Sequence, residues 1–350
     1  MTGFADALAD AGGDPEAEAR RLKVELDETR QELSRLHELL DVVRRAEPKR
    51  RRIDWARPAK KPGKRRAVVT AILSDLHLDE VVRPEEMNGV NSFNRRIAER
   101  RLKRWTDKVC SLPSDYLTGL DYDGACLFLG GDVFSGDIHE ELRRTNADTI
   151  AGSIAHWLDP LRAAIASVAD TYGKVTVDVV AGNHGRNPLE RRSPAKGRAR
   201  DNFDTLMGWL LARDFQGDPR VEFTVAEGTD LVRPVYGTTY LLTHGDQAKG
   251  GSGIAGALSP LMLFSHRKGK RQSAVGQPYD VMVCGHWHQY MHLAAQGLIV
   301  NGSIKGYDEY AMVSNFAYEE PQQALWITTP QHGVTVAMPI QVQDRKSEGW

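Results

Sequence analysis

Residues 67–77 read AVVTAILSDLH: seven small, apolar or β-branched residues that break off into Ser74-Asp75-Leu76-His77. The same pattern returns along the chain. ACLFL (125–129) runs into Gly130-Gly131-Asp132, VTVDVV (175–180) leads to Gly182-Asn183-His184, TTYLL (238–242) to Thr243-His244-Gly245-Asp246, and DVMVC (280–284) to Gly285-His286. A sixth run, LIV (298–300), precedes Asn301-Gly302-Ser303. Short apolar runs bounded by glycine and polar residues read as buried strands. Helical patterns lie between the first of them: Ala98, Leu102, Trp105, Val109 and Leu112 follow 4, 3, 4, 3 spacing, and a second pattern spans Glu140 to about Asp170 with a break expected at Pro160. Strands alternating with helices predict a largely parallel α/β sheet, in which ligands bind beyond the carboxyl ends of the strands. Each polar motif occupies such an end. ALWITT (324–329) and VTVAM (334–338), joined around Gly333, predict two further strands that close one sheet edge.

The polar motifs carry the chemistry. Asp75 and His77, like His286 and His288, are two residues apart, and in an extended segment such residues point the same way, so each pair can serve one point in space. With Asp132, Asn183 and His244 the set holds seven oxygen and nitrogen donors, enough for two metal ions sharing a carboxylate. Imidazole, carboxylate and amide oxygen without thiolate suit Mn²⁺, Fe²⁺ or Zn²⁺, with Mn²⁺ the leading expectation. Cys284 lies back in its strand and reads as core. Trp287, between two donors, is expected to point away from them into the core.

The order D-x-H, G-D, G-N-H, H, G-H-x-H, each motif after a strand, resembles the calcineurin-like metallophosphoesterase family over roughly Ala67 to Pro339. The resemblance implies a four-layer α/β/β/α sandwich with the site at one rim. It implies that Asp75, His77 and His288 hold one metal, that Asn183, His244 and His286 hold the other, and that Asp132 bridges them. Catalysis would then proceed by attack of a metal-bridging hydroxide on phosphorus. His184 would stabilise charge or protonate the leaving oxygen. One position departs from the family pattern: an acid usually follows G-N-H, whereas Gly185-Arg186 stand here. Asp246 or Asp137 could orient His184 instead, or the histidine acts without a partner. Arg186 is the candidate phosphate-binding residue, through its planar guanidinium.

Substrate class rests on charge. The stretch 186–200 has six basic residues and one acid, and His266-Arg267-Lys268-Gly269-Lys270-Arg271 is a second basic stretch, read as a loop near the same site. A positive rim favours a polyanion, so nucleic acid is the expected substrate, as for the DNA-repair nucleases of the family. The GNHGR, SGDIHEEL and GGSGIAGALSP sequences also resemble phosphoesterases encoded by bacteriophages. The alternatives are a phosphatase or phosphodiesterase of a small nucleotide, and a non-catalytic DNA-docking or assembly protein. The glycine-rich 245–261 lacks the P-loop pattern and reads as a loop covering the site. Asn88, Asn91 and Asn94 read as a polar turn, with a pocket lining as the sharper reading.

Further upstream the reading changes character. The 350 residues carry 46 Lys plus Arg and 47 Asp plus Glu, yet Arg44 to Arg66 holds twelve basic residues against two acids. That +10 segment contains Pro48, Pro58 and Pro62 and reads as an extended linker able to follow phosphates. Before it, Asp14-Pro15-Glu16 suits a helix start. Ala19, Leu26, Leu33 and Leu40 then form one seam and Leu22, Thr29, Leu36 and Val43 another, a heptad pattern with one polar exception, which predicts self-association through residues 15–47. The expected organisation is a helix at 1–47, a basic linker at 48–66, a catalytic domain at 67–342 and a tail at 343–350. No apolar run reaches the ~18 residues of a membrane span, no signal-peptide pattern follows Met1, and the three cysteines are unpaired by spacing. The expectation is a cytoplasmic chain without a membrane partner.

Overall fold

The computed structural model describes residues 15–45, 65–187, 195–249, 256 and 258–350. The expected cap Asp14, the linker from 46 to 64, and parts of the basic and glycine-rich loops (188–194, 250–255 and 257) lie outside the described residues. The chain divides into two compact units, Met1–Pro62 and Gly63–Trp350. The first contains α1 (Pro15–Arg45), which begins at the proline, whose missing N–H costs nothing in the first turn.

In the second unit the elements follow as β1 (Arg65–Leu73), α2 (Arg95–Tyr116), β2 (Leu120–Leu129), α3 (Glu140–Thr145), α4 (Ile150–Tyr172), β3 (Val175–Val179), α5 (Phe203–Asp214), β4 (Val221–Val225), β5 (Asp230–Val235) and β6 (Thr238–Thr243). The chain continues through α6 (Leu258–Ala274), β7 (Val281–Cys284), β8 (Met291–Leu293), β9 (Leu298–Val300), α7 (Glu309–Val313), β10 (Gln322–Thr329), β11 (Gly333–Gln341) and α8 (Arg345–Glu348). One sheet has the order β11-β10-β1-β2-β3-β4 and the other β5-β6-β7-β9-β8. Their interiors, β1 to β4 and β6-β7-β9, are parallel, while β10 and β11 at one edge and β5 and β8 at the other sheet's edges pair antiparallel. The sequence reading missed β4, β5 and β8. These are edge strands, only partly buried, and β5 contains Arg233 and Pro234, which an edge tolerates and a central strand does not.

Three apolar clusters define four layers. Trp105 and Val109 of α2 and Trp157 and Ile165 of α4 pack on Val69, Leu127 and Val177 of the first sheet. The opposite face of that sheet, with Ile72, Phe128 and Trp326, meets Tyr240, Leu242, Val283 and Ile299 of the second. Leu241, Met282 and Val300 on the second sheet's outer face are covered by Leu261 and Phe264 of α6. The alternation along each strand thus feeds two cores at once, giving the α/β/β/α sandwich that the family resemblance implies.

Two local expectations are corrected. The helix after residue 140 does not break at Pro160. It breaks at Asn146–Thr149, where Thr149 caps α4 through Gly152 N, and α4 then runs through the proline to Gly173, which ends it at φ 72°. Buried Trp157, Leu161, Ile165 and Val168 hold that helix against the sheet and outweigh the lost backbone hydrogen bond. Nor do residues 343–350 form a separate tail. Glu348 of α8 is fully buried and pairs with equally buried Arg101 at 3.0 Å. Arg101 also donates to the carbonyls of Ile304 and Lys305, at 3.0 and 2.8 Å, and so fixes the segment that brings Lys305 to the site.

Candidate metal centre

The predicted donors converge. Each lies in the turn just beyond β1, β2, β3, β6 or β7, at the carboxyl rim of the two sheets. The turns are not extended. Five donors have left-handed backbones: Asp75 (φ 55°), His77 (44°), Asp132 (50°), His286 (70°) and His288 (53°). Side chains two apart therefore meet through paired left-handed turns and not through strand pleating, which corrects the sequence argument. Such conformations cost roughly 1–3 kcal/mol each outside glycine and persist where the surroundings impose them.

Potential ligand atoms of Asp75, His77 and His288 lie within 4.8 Å of one another, as do those of Asp132, His244 and His286. Asp132 also forms such a group with His77 and His184, so it reaches both halves of the cluster. The Nε2 atoms of His77 and His288 face each other at 3.1 Å, and Asp75 Oδ1 stands 3.5 Å from His288 Nε2. On the other side His244 Nε2 sits 3.0 Å from Asp132 Oδ2 and 3.1 Å from Asn183 Oδ1.

Burial disfavours the charged forms of His77 and His286 and lowers both to about 4, leaving neutral imidazoles suited to ligation. His244 is buried too, but the adjacent Asp132 carboxylate outweighs that penalty and raises it to about 10. Burial likewise opposes ionisation of Asp132, yet His244 and His184 hold it well below the usual carboxylate range. Asp75 and Asp132 are fully buried with histidines, backbone amides and the Ser74 hydroxyl around them, and among the described residues no Lys or Arg pairs with either. This donor set fits divalent cations.

Several supporting residues escaped the sequence reading. Asp204, at the start of α5, accepts Asp132 N at 2.9 Å, Val133 N at 3.1 Å and Gly182 N at 3.0 Å, locking two strand-end turns together. Its burial, with Asp132 nearby, raises its pKa to about 6. Glu80 Oε2 lies 3.4 Å from His77 Nδ1, and its other oxygen accepts from buried Lys305 at 2.8 Å. A carboxylate behind a ligating histidine orients the ring and raises its basicity. Ser303 Oγ donates to the Asp75 carbonyl at 2.7 Å, and Asn301 donates to Ser74 Oγ at 2.8 Å. A Cβ at Gly182 would run into the Asp132 carboxylate, and one at Gly285 into that of Asp75, so these glycines make room for the donors. The only sequence signals for Asp204 and Glu80 were a helix-start Asn-Phe-Asp and an acid shortly after D-x-H.

His184 is oriented by backbone. Its amide donates to Asp132 Oδ1 at 2.7 Å, and its Nδ1 donates to the Ser135 carbonyl at 2.8 Å, which directs Nε2 outward. Neither proposed acid serves: Asp246 pairs with Arg198 at 2.5 Å, and the orienting contact comes from Ser135, not Asp137. Burial lowers the His184 pKa, against the pull of Asp132.

A cavity of about 460 Å³ opens over the cluster, with His77, His184, His286 and His288 on one side and Tyr307, Tyr310 and Phe316 on another. Trp287 lines it as well, half-buried at the edge of the third core, so its expected place in the core is corrected. Arg186 does not line this cavity; it donates to the Asn183 carbonyl at 2.9 Å and is partly buried. The basic stretch 266–271 is part of α6, not a loop, and Lys268 and Arg271 both pair with Asp230. Asn94 caps α2, while Asn91 is buried and donates to the Lys305 and Tyr307 carbonyls at 3.0 and 2.6 Å. Asn91 therefore shapes the cavity wall from behind. Among the described residues no helix is long and apolar enough to cross a membrane.

No family model and no curated protein matches the chain. Solved structures of similar type include an uncharacterised protein of Streptococcus pneumoniae described as a predicted phosphoesterase, at 13% identity and TM-score 0.29, covering 77% of this chain and 95% of that one. Vps29 of Entamoeba histolytica complexed with zinc matches at 11% identity and TM-score 0.30, covering 79% and 99%. A dimetal phosphatase of Danio rerio matches at 11% identity and TM-score 0.33, covering 79% and 99%. At such identities and TM-scores the likeness carries no argument about chemistry, which rests on this chain's own side chains.

Proposed function

We propose that the chain is a dinuclear metal-dependent phosphoesterase that cleaves phosphodiesters of nucleic acid. The observation that carries this reading is the shared carboxylate: Asp132 belongs to ligand groups on both sides of the cluster. Asp75, His77 and His288 would hold one ion and Asn183, His244 and His286 the other, with Asp132 common to both. Two divalent ions, Mn²⁺, Fe²⁺ or Zn²⁺, supply Lewis-acid polarisation of the phosphoryl oxygens and lower the pKa of water toward neutrality. His184 directs Nε2 toward the cavity and can donate a hydrogen bond or proton to the departing oxygen. Glu80 and Lys305 hold the His77 ring in its ligating orientation.

The polymer substrate is supported by the twelve basic residues between Arg44 and Arg66 and by the basic sequence 186–200. A second reading, a single small nucleotide, is favoured by the cavity itself. Its volume suits one drug-sized ligand, its aromatic wall suits a base, and Glu141, Asp308 and Glu319 on its lining do not attract a polyanion. Phosphate capture by Arg186 belongs to the first reading and depends on substrate approaching from outside the cavity.

The test is hydrolysis of labelled single- and double-stranded DNA and RNA with added Mn²⁺, beside a small chromogenic phosphodiester, with His184→Ala as control. Polymer cleavage that disappears in the variant establishes the first reading. Turnover of the small diester alone replaces it with the second, and no metal-dependent turnover of either overturns both.

A further inference from the structure

We propose that α1 pairs with α1 of a second copy of this chain in a parallel, in-register, two-stranded coiled coil. The apolar seam is available: Leu22, Leu26, Leu33 and Leu36 are 50–56% exposed. What selects the occupant and its direction is the charge beside the seam. With Ala19, Leu26 and Leu33 at the a positions and Leu22, Thr29 and Leu36 at d, the e positions are Lys23, Arg30 and His37, and the g positions are Glu18, Glu25 and Glu32. In a parallel coil each g residue stands beside the next heptad's e residue on the other helix. That places Glu18 against Lys23, Glu25 against Arg30 and Glu32 against His37 on both flanks, so two of the three contacts per flank are full ion pairs. An antiparallel pair instead sets g against g and e against e, acid facing acid and base facing base. The flanking charges also keep the apolar stripe narrow, which suits two strands better than a larger bundle. The pattern reaches as far as Glu32, since the next g position is Leu39.

The consequence is geometric. Both chains leave a parallel coil at the same end, at Arg45, where the basic sequence up to Arg66 follows in each copy. The two +10 segments then start side by side, doubling the charge available to one polyanion.

Light scattering on the full chain is expected to give twice 38.9 kDa, and deletion of residues 1–47 is expected to give a monomer. A monomeric full chain, or a dimer that survives the deletion, overturns the proposal. Glu18→Lys, Glu25→Lys and Glu32→Lys together should weaken the dimer at least tenfold without lowering helix propensity, because lysine and glutamate are comparable helix formers. Mixing that variant with one carrying Lys23→Glu, Arg30→Glu and His37→Glu should restore pairing as a heterodimer, which a merely damaged helix would not do. Direction is read from Ala19→Cys under mild oxidation, with the parent chain as control. A parallel pair brings the two introduced thiols together and cross-links, whereas an antiparallel pair holds them roughly 36 Å apart, given a rise of about 1.5 Å per residue. A dimer that does not cross-link overturns the parallel arrangement.

Discussion

Two sets of buried carboxylates, one between the sheets and one in the turns beyond the strands, are neutralised differently. Inside the sandwich, Asp178, one residue before the carboxyl end of β3, is fully buried and Arg233 of β5 grips both its oxygens, at 2.7 and 2.5 Å. Asp123, in the first half of β2 and partly buried, takes Arg66 at 2.7 Å and the Tyr236 hydroxyl. In the turns at the carboxyl rim, Asp75 and Asp132 are as deeply buried, yet their partners are histidines, backbone amides and the Ser74 hydroxyl. An Arg–Asp pair is complete in itself. Around Asp132 the counter-charge is a protonated His244, a role that a divalent cation can take over, since a buried charge is costly without an opposite one. The difference favours the cavity of about 460 Å³ over the cluster as the candidate site over the second, of about 330 Å³, whose lining Arg233 is already paired with Asp178.

The comparison can be broken by substitution. Asp132→Ala should have the largest effect, removing metal uptake, read by metal analysis of the purified protein, together with all metal-dependent turnover. Retained turnover would show that the carboxyl rim is not the site. His184→Ala should keep its metal and lose about 10²- to 10⁴-fold in turnover, the range for a positioned acid or base. Unequal metal content between parent and variant would instead mark His184 as a ligand.

The pair between the sheets should respond in stability alone. Arg233→Ala leaves Asp178 buried without its partner, and chemical denaturation should show a loss of roughly 3 kcal/mol while metal content stays at the parent value. Asp204→Asn offers a finer comparison, since it replaces one amide-accepting oxygen by a donor. It should weaken metal affinity about 10- to 100-fold in a metal titration, as expected for a group that orients ligands. The smallest effect is a shift on chelation. Removing metal should lower the thermal midpoint of the parent and of Arg233→Ala alike, and leave that of Asp132→Ala where it was. A chelator shift in Asp132→Ala would place the ion elsewhere.

Much of this was legible in the chain before any coordinates. Six apolar runs predicted six strands, and the polar motifs after five of them named the seven candidate donors, because strand period and turn residues are local properties. The same locality underlies the heptad register proposed for α1, which needs nothing beyond spacing and charge. What remained hidden depends on residues distant in sequence. Asp204 reads as an ordinary helix start until the fold sets it under Asp132 and Gly182, and Lys305 as a loop lysine until Arg101 and Glu348 carry it inward. Pro160 reads as a break because local propensity cannot weigh the tertiary packing that holds α4 straight through it.

The sequence by itself determined which residues can bind metal, in what order they follow the strands, and where charge is concentrated. Only the tertiary structure decided that paired left-handed turns aim Asp75 and His77, and His286 and His288, at shared points. It also decided that a backbone carbonyl orients His184 and that Lys268 and Arg271 of α6 pair with Asp230. The physical reason is that donor chemistry belongs to single side chains, whereas orientation and charge compensation belong to contacts between residues that the chain sequence leaves far apart.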